Sequence, residues 1–429
     1  MTAETTKMSG GAAIVDALIR NGVDTVFGIP GVQLDPLFDA FHHAKNRIRV
    51  VHNRHEQGAG YMALGYAQAT GRVGTCVVVP GPGLLNAAAA ISTGYSLNSQ
   101  MLCIVGQIPS HLIGKGTGQL HELPDQLAIA EGLTKWAKRM DAPGDVPGAM
   151  AEAFRQLNTG RRRPVEVEMA LDIMKAESDV SPVDPPHDYD VLQPDPDRIE
   201  EVAKLLGEAE NPLIFAGGGA IDAGGPLLTL AEMLEAPVVM SRSALGAVDS
   251  RNPLALTPPH GHKLWKDADV VLGVGTRLVP MIPAWGTDDC LKQVRIDVDA
   301  KEITRSSTPD VAVEADAALA LAALCDAVPS HNRKRADRTE EMTALKADLQ
   351  AKFDKLDPQM PILRAIRDTL PEDGIFVEEL TQPGYVARLA FPVFRPRTFI
   401  NPGYQGTLGY ACPTAMGAKI GMPDRKVLA

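Results

Sequence analysis

Short, continuous apolar runs alternate along this chain with longer stretches whose apolar residues recur every three or four positions. That is the rhythm of parallel strands covered by helices. Val73-Gly74-Thr75-Cys76-Val77-Val78-Val79 and Met101-Leu102-Cys103-Ile104-Val105-Gly106-Gln107 are the clearest strands, with shorter ones at Thr25-Val26-Phe27 and Ile48-Arg49-Val50-Val51. Pro164 to Met169 alternates and reads as the last strand of a domain. Ser9 is placed to cap a helix with an Ile14, Val15, Leu18, Ile19 stripe, and Asn21-Gly22 to end it. A second helix pattern runs from Arg54 through Ala67, closed by Gly71, and opens on one carboxylate, Glu56. Ala59, Ala63 and Ala67 share a helical face, with Met62 and Tyr66 beside them, so Glu56 is expected to point into packed protein. The alternative is a solvent-facing first-turn glutamate that complements the helix dipole.

The same rhythm restarts twice. Residues 182–196 hold five prolines and four aspartates in fifteen positions and read as a linker after an N-terminal domain of residues 1–181. A central α/β domain, 197–331, then offers strands at Pro212 to Ala216, Pro237 to Met240, Asp269 to Gly275 and Val294 to Val298. Its turn Gly217-Gly218-Gly219 either cradles a nucleotide phosphate or serves packing alone. Residues 332–359 are charged and helical in character, a second linker, and a third α/β unit, 360–429, begins with the strand Ile375-Phe376-Val377. The expected fold is therefore α/β, with three consecutive parallel-sheet domains, the last one incomplete in this chain.

Composition narrows the function. At 429 residues and 45% hydrophobic, the chain can bury a large core. A formal charge of -11 disfavours nucleic acid and anionic membranes as partners. No apolar run reaches the roughly 18 residues of a membrane span, and the polar start Met1 to Lys7 lacks a signal-peptide core, so a cytoplasmic protein is expected. Cys76, Cys103, Cys290, Cys325 and Cys412 are scattered without zinc-site or disulfide spacing. The basic runs Arg161-Arg162-Arg163 and His331 to Arg335 read as helix ends or solvated turns, with anion binding as the alternative.

Chemistry concentrates at turns. Gly28-Ile29-Pro30-Gly31 and Pro80-Gly81-Pro82-Gly83-Leu84-Leu85-Asn86 follow strands and would let backbone approach a ligand, although the second lacks the third glycine of a dinucleotide fingerprint. Together with Arg54-His55-Glu56 and Gly406-Thr407-Leu408-Gly409, in that order and spacing, they resemble the thiamine-diphosphate enzymes of the acetolactate (acetohydroxyacid) synthase-like superfamily. The resemblance covers essentially the whole chain and implies a pyrimidine-binding, a central and a diphosphate-binding domain. It implies that Glu56 hydrogen-bonds the aminopyrimidine and so promotes loss of the thiazolium C2 proton. It further implies that Pro30, Gly31, Gly81, Pro82, Gly83 and Asn86 border the cofactor, that Thr381, Gln382 and Gly406 lie near its diphosphate, and that Leu408 supports its folded shape. Gln119 falls where family members place a polar active-site residue. His121 departs from the family pattern and is either a proton donor beside the substrate or a solvent-facing loop histidine.

The implied activity is decarboxylation of a 2-oxo acid with transfer of the enamine to an acceptor carbonyl. Simple decarboxylation and a non-catalytic role are the alternatives. The family's magnesium motif, Gly-Asp-Gly and a later Asn, is expected beyond Ala429, in a natural polypeptide longer than this chain, so no metal ligand is assigned. Gly275-Thr276-Arg277-Leu278 replaces the family's flavin-contacting run, which weighs against FAD, and Val165 to Met169 replaces its Val-Asp-Leu-Pro. A homodimer or homotetramer with the cofactor at the subunit interface is expected.

Overall fold

The computed structural model describes residues 5–278 and 281–429 and groups them into two compact units. The first comprises residues to Asp190 together with Pro402–Asp424 and Ala429, the second Val191–Asn401 with Arg425–Leu428. The changeover at Asp190 and Val191 falls inside the proline-rich 182–196 stretch, and the segment 360–429 contributes to both units. The first four residues of the polar start lie outside the described residues.

In the first unit a two-stranded antiparallel ribbon, β1 (Thr6–Ser9) with β8 (Glu177–Val180), accompanies a parallel six-stranded sheet. That sheet is built from β2 (Thr25–Gly28), β3 (Arg49–His52), β4 (Gly74–Val78), β5 (Met101–Gln107), β6 (Trp136–Met140) and β7 (Val165–Ala170), in the order β3-β2-β4-β5-β7-β6. Helix α1 (Gly10–Arg20), which precedes α2 (Asp35–His43), starts where expected: Ser9 caps it, its hydroxyl accepting from Ala12 N at 3.2 Å, and Gly22 leaves it at φ +74°. The alternating strand β7 comes last of the six along the chain but lies inside the sheet between β5 and β6, and all six of its residues are buried, Glu166 and Glu168 included. Its alternation sorts two covered faces, Val165, Val167 and Met169 joining the core beneath α1 and the glutamates facing the other way.

Helix α3 (Glu56–Thr70) departs from the one-stripe expectation. Every residue from Ala59 to Ala67 is buried, so the helix is enclosed all round and Glu56, at its first position, is half-buried. Small residues make this possible. A Cβ on Gly65 would overlap the carbonyl of Thr414, one on Gly417 the carbonyl of Met62, and one on Gly60 would come within 2.6 Å of Ala90 Cβ. Helix Ala411–Gly421 and helix α4 (Pro82–Leu97) therefore lie almost backbone to backbone against α3.

The second unit holds a six-stranded parallel sheet of β9 (Pro212–Ala216), β10 (Val238–Met240), β11 (Ala255–Leu256), β12 (Val270–Val274), β13 (Lys292–Asp297) and β14 (Val311–Glu314), ordered β11-β10-β9-β12-β13-β14. Strands β11 and β14 extend the expected four. A three-stranded parallel sheet, β16 (Phe399–Ile400), β15 (Ile375–Val377) and β17 (Val427–Leu428), belongs to the same unit. The charged 332–359 stretch contains helix Thr339–Phe353. The basic run before it is structural: Arg335 donates to the carbonyls of Leu206, Gly207 and Ala209 at the end of helix Pro196–Glu208, where a cation suits the dipole.

Glu378, just past β15, is fully buried and meets Arg388 at 3.0 Å. Burial pushes its carboxyl up to about 7, opposed by Arg388 and Arg242. The native state thus binds a proton that the unfolded chain releases near pH 4.5, and stability should fall as pH rises from about 4.5 to about 7 and then level off. The fall is expected to reach at most roughly 3 kcal/mol. Urea midpoints across this range should decline more steeply for the wild type than for Glu378→Gln, and parallel profiles would refute the assignment.

Candidate active site

In the first unit the chain passes from β2 outward to β3 and returns on the other side as β4, so the sheet order reverses between β2 and β4. A crevice outside the carboxyl ends of two such strands is where open α/β sheets take ligands. Ile29 to Gly31 follow β2, Asn53 to Glu56 follow β3, and Pro80 to Gly83 follow β4, so these segments all leave the sheet at its carboxyl edge. A Cβ on Gly31 would strike Val79, which fixes glycine where the first turn passes the end of β4.

Glu56 is held from both sides of its sequence position. His55 Nδ1 accepts from Gln57 N at 3.2 Å, capping α3. Asn86, on the first turns of α4, donates its Nδ2 to Glu56 Oε2 at 3.0 Å. The carboxylate sits at the positive end of α3 with one oxygen fixed.

The Pro80 to Gly83 turn behaves otherwise than a phosphate cradle. Gly81 takes φ +60°, and its amide donates to Gln126 Oε1 at 2.9 Å, while Gly83 N donates to the Pro80 carbonyl at 3.3 Å. With those amides spent, the turn offers a close backbone wall. Against that wall lies the loop bearing Gln119 and His121: a Cβ on Gly81 would overlap the His121 carbonyl. His121 itself sits at φ +68°, unusual for a side chain with a Cβ. Glu122 accepts from Gln119 N at 2.8 Å, and the amides of Gln119, Gly118, Thr117 and Gly116 hold its carboxyl below the usual range. The Gln119 side chain reaches Thr117 Oγ1 at 3.3 Å. Buried Gln33 donates to the Leu120 carbonyl at 3.1 Å.

Several buried polar atoms around this edge lack a protein partner: Gln33 Oε1, both amide atoms of Asn53, and His121 Nδ1. Buried polar groups are normally hydrogen-bonded, so these fit a polar ligand seated against the carboxyl edge. Gln33 and Asn53 were not singled out from sequence. They sit beside the recognised turns, and a single polar residue in a loop carries no periodic signal.

The remaining expected residues divide between the units. Gly406, at φ +59°, and Leu408, exposed, lie in the first, where Thr407 Oγ1 meets Thr93 Oγ1 of α4 at 3.1 Å. Thr381 and Gln382 lie in the second. Thr381 caps helix Gln382–Ala390 by accepting from Gly384 N at 3.2 Å, and Gln382 Oε1 accepts from Gln359 Nε2 at 2.7 Å.

The central glycine turn serves packing. Gly217 N and Gly219 N donate to the carbonyls of Val274 and Gly275, and a Cβ on Gly217 would overlap Gly275. These amides do not fit a nucleotide phosphate. Arg277, where the flavin-contacting run would lie, pairs with buried Glu302 at 2.9 Å. Among the described residues no group of three or more His, Cys, Asp or Glu is arranged to hold a metal ion, and no metal ligand is assigned. No described helix is long and apolar enough to cross a membrane.

A doubly wound parallel sheet with a carboxylate fixed beside its switch point defines an α/β enzyme of the cofactor-binding kind. Comparison with known proteins makes this specific. Residues 8–129 match the model of the thiamine pyrophosphate enzyme N-terminal TPP binding domain, 199–324 its central domain and 381–429 its C-terminal TPP binding domain. The chain is 34% identical to a probable 2-ketoarginine decarboxylase of Pseudomonas aeruginosa, over 97% of this chain and 76% of that protein. It is also 34% identical to the acetolactate synthase large subunit of Corynebacterium glutamicum, over 99% and 70% of the two chains. The large subunit of acetolactate synthase isozyme 1 of Escherichia coli is 30% identical, over 98% and 76%. The chain belongs to the thiamine-pyrophosphate enzymes of acetolactate synthase-like type and is an enzyme that forms or cleaves carbon–carbon bonds.

Proposed function

We propose that this enzyme decarboxylates a 2-oxo acid and joins the remaining carbon unit to an acceptor carbonyl, as acetolactate synthases do. The observation that carries the reading is Glu56, placed at the head of α3 on the carboxyl edge of the sheet and braced by Asn86. Bound thiamine diphosphate supplies the electron sink for loss of carbon dioxide. In this reading Glu56 would share a proton with a ring nitrogen of the aminopyrimidine, donating to it as the carboxylic acid and accepting from it once the proton has moved, and so would favour the imino tautomer. Pro30, Gly31, Gly81, Pro82 and Gly83 wall the ring, and the orphaned amide of Asn53 lies within the same rim. His121, its Nδ1 unpartnered, holds or delivers a proton at the substrate, with Gln119 beside it. On the first unit Gly406 would serve the diphosphate and Leu408 the folded shape of the cofactor; for Thr381 and Gln382 of the second unit a diphosphate contact is proposed separately, from the resemblance alone. No step is assigned to magnesium or FAD.

A homo-oligomer, a dimer or tetramer, belongs to the same reading. A second reading, decarboxylation ending in an aldehyde, is favoured by the identity with the probable 2-ketoarginine decarboxylase. Product analysis with pyruvate and with 2-ketoarginine separates the two. A five-carbon 2-hydroxy-3-oxo acid from pyruvate, acetolactate, is expected for carboligation, whereas an aldehyde from 2-ketoarginine with no such condensation product from pyruvate would replace the first reading by the second.

A further inference from the structure

Strand β7 carries two fully buried glutamates on one face, Glu166 beside Cys103 of β5 and Glu168 between Val105 of β5 and Arg139 of β6. Their surroundings separate them. Neither oxygen of Glu166 has a hydrogen-bond partner, and burial together with Glu168 drives its carboxyl well above the usual range. Glu168 is also raised by burial, but hydrogen bonds from Gln126 and Gln107 and the charge of Arg139, 3.8 Å away, oppose the rise.

Glu168 Oε2 accepts from Gln126 Nε2 at 2.7 Å, and the same nitrogen donates to the Gly106 carbonyl at 3.0 Å. Two acceptors on one side of the amide leave a single orientation, with Oε1 turned to the Gly81 amide at 2.9 Å. Gln126, only 3% exposed, is fully satisfied by this arrangement. What it secures is a turn that needs help: Gly81 is the N-cap of α4, at φ +60° and ψ -113°, with no side chain to tie it down. The Gly81 carbonyl receives Leu85 N at 3.0 Å, and the next residue, Asn86, braces Glu56.

We propose that Gln126 and Glu168 are positioning residues that lock the start of α4, and through it Asn86 and the Gly81 wall, into the geometry Glu56 requires. The proposal rests on the function proposed above, and nothing in the comparisons assigns either residue. Neither residue touches substrate or cofactor in this account. They act through Gly81.

The test uses the full chain with Gln126→Met, Glu168→Met, the double variant and Glu168→Gln, read in two ways. In cofactor-free protein, hydrogen exchange at the Gly81 amide should speed up about tenfold or more in each Met variant, as expected for loss of a buried hydrogen bond. Glu168→Gln, whose amide oxygen still accepts from Gln126, should stay within about threefold of wild type. With cofactor, kcat on the preferred 2-oxo acid should fall about ten- to a hundredfold in the Met variants with KM little changed, and the double should be no worse than either single. Unchanged Gly81 exchange in Gln126→Met, or faster exchange with kcat intact, overturns the proposal. A wild type that turns over no 2-oxo acid overturns the functional reading instead, while the exchange measurement still decides whether the clamp exists.

Discussion

Glu56→Gln should reduce turnover of 2-oxo acids by about 10²- to 10⁴-fold, the range over which a positioned proton-transfer group contributes. The substitution is nearly isosteric, and a glutamine oxygen can still accept from Asn86 Nδ2, which now lies 3.0 Å from the carboxylate. The brace therefore survives. What is lost is a negative charge at the head of α3 and a group able to exchange a proton with a ring nitrogen. Asn86→Leu makes the complementary test, because it keeps the carboxylate and removes the donor that orients it. Its expected loss is smaller, about tenfold. Exchange of the thiazolium C2 proton, followed by NMR in the presence of magnesium and thiamine diphosphate, separates chemistry from substrate binding. Exchange in Glu56→Gln at the wild-type rate would remove Glu56 from the mechanism.

Gly65→Val should cost about 3 kcal/mol or more of stability, among the largest single effects available in the first unit. Most overpacked sites relax by swinging a side chain aside. Here the obstacle is the Thr414 carbonyl on helix Ala411–Gly421, so a whole helix must move. Gly417→Val presses on the same seam from the other side, against the Met62 carbonyl. Once either variant has prised the helices apart, the second adds less, and the double variant should fall short of the sum of the singles. Urea unfolding of the three variants tests this. A Gly65→Val protein with the wild-type midpoint would mean that the helices do not pack this closely.

Much of the architecture was legible because its signals are periodic. The strand Met101–Gln107 falls on the residues its apolar run indicates, and Ser9, Asn21 and Gly71 mark helix ends where capping chemistry requires them. The turns carrying Gly31 and Gly81 were legible as places of close approach, since only glycine tolerates the neighbours found there. Hidden were features that depend on partners far along the chain. Glu166 and Glu168 looked like the polar half of an alternating strand, and nothing local says that helices cover that face. The enclosure of α3 is invisible for the same reason, since part of its cover comes from residues about 350 positions later. Gln126 follows a helix-capping Asp125 that accepts from Ala128 N, and that local role masks its reach to Gly81 and Glu168.

The late arrival of helix Ala411–Gly421 also sets an order of events during synthesis. Until those residues leave the ribosome, the Met62 and Gly65 side of α3 has no cover, although the six strands of its sheet emerged more than 200 residues earlier. The first unit can collect its strands early but can close over α3 only near the end. Chains interrupted before Pro402 therefore leave Met62, Gly65 and Tyr66 of α3 without this cover, a surface that chaperones or other copies of the chain would meet first.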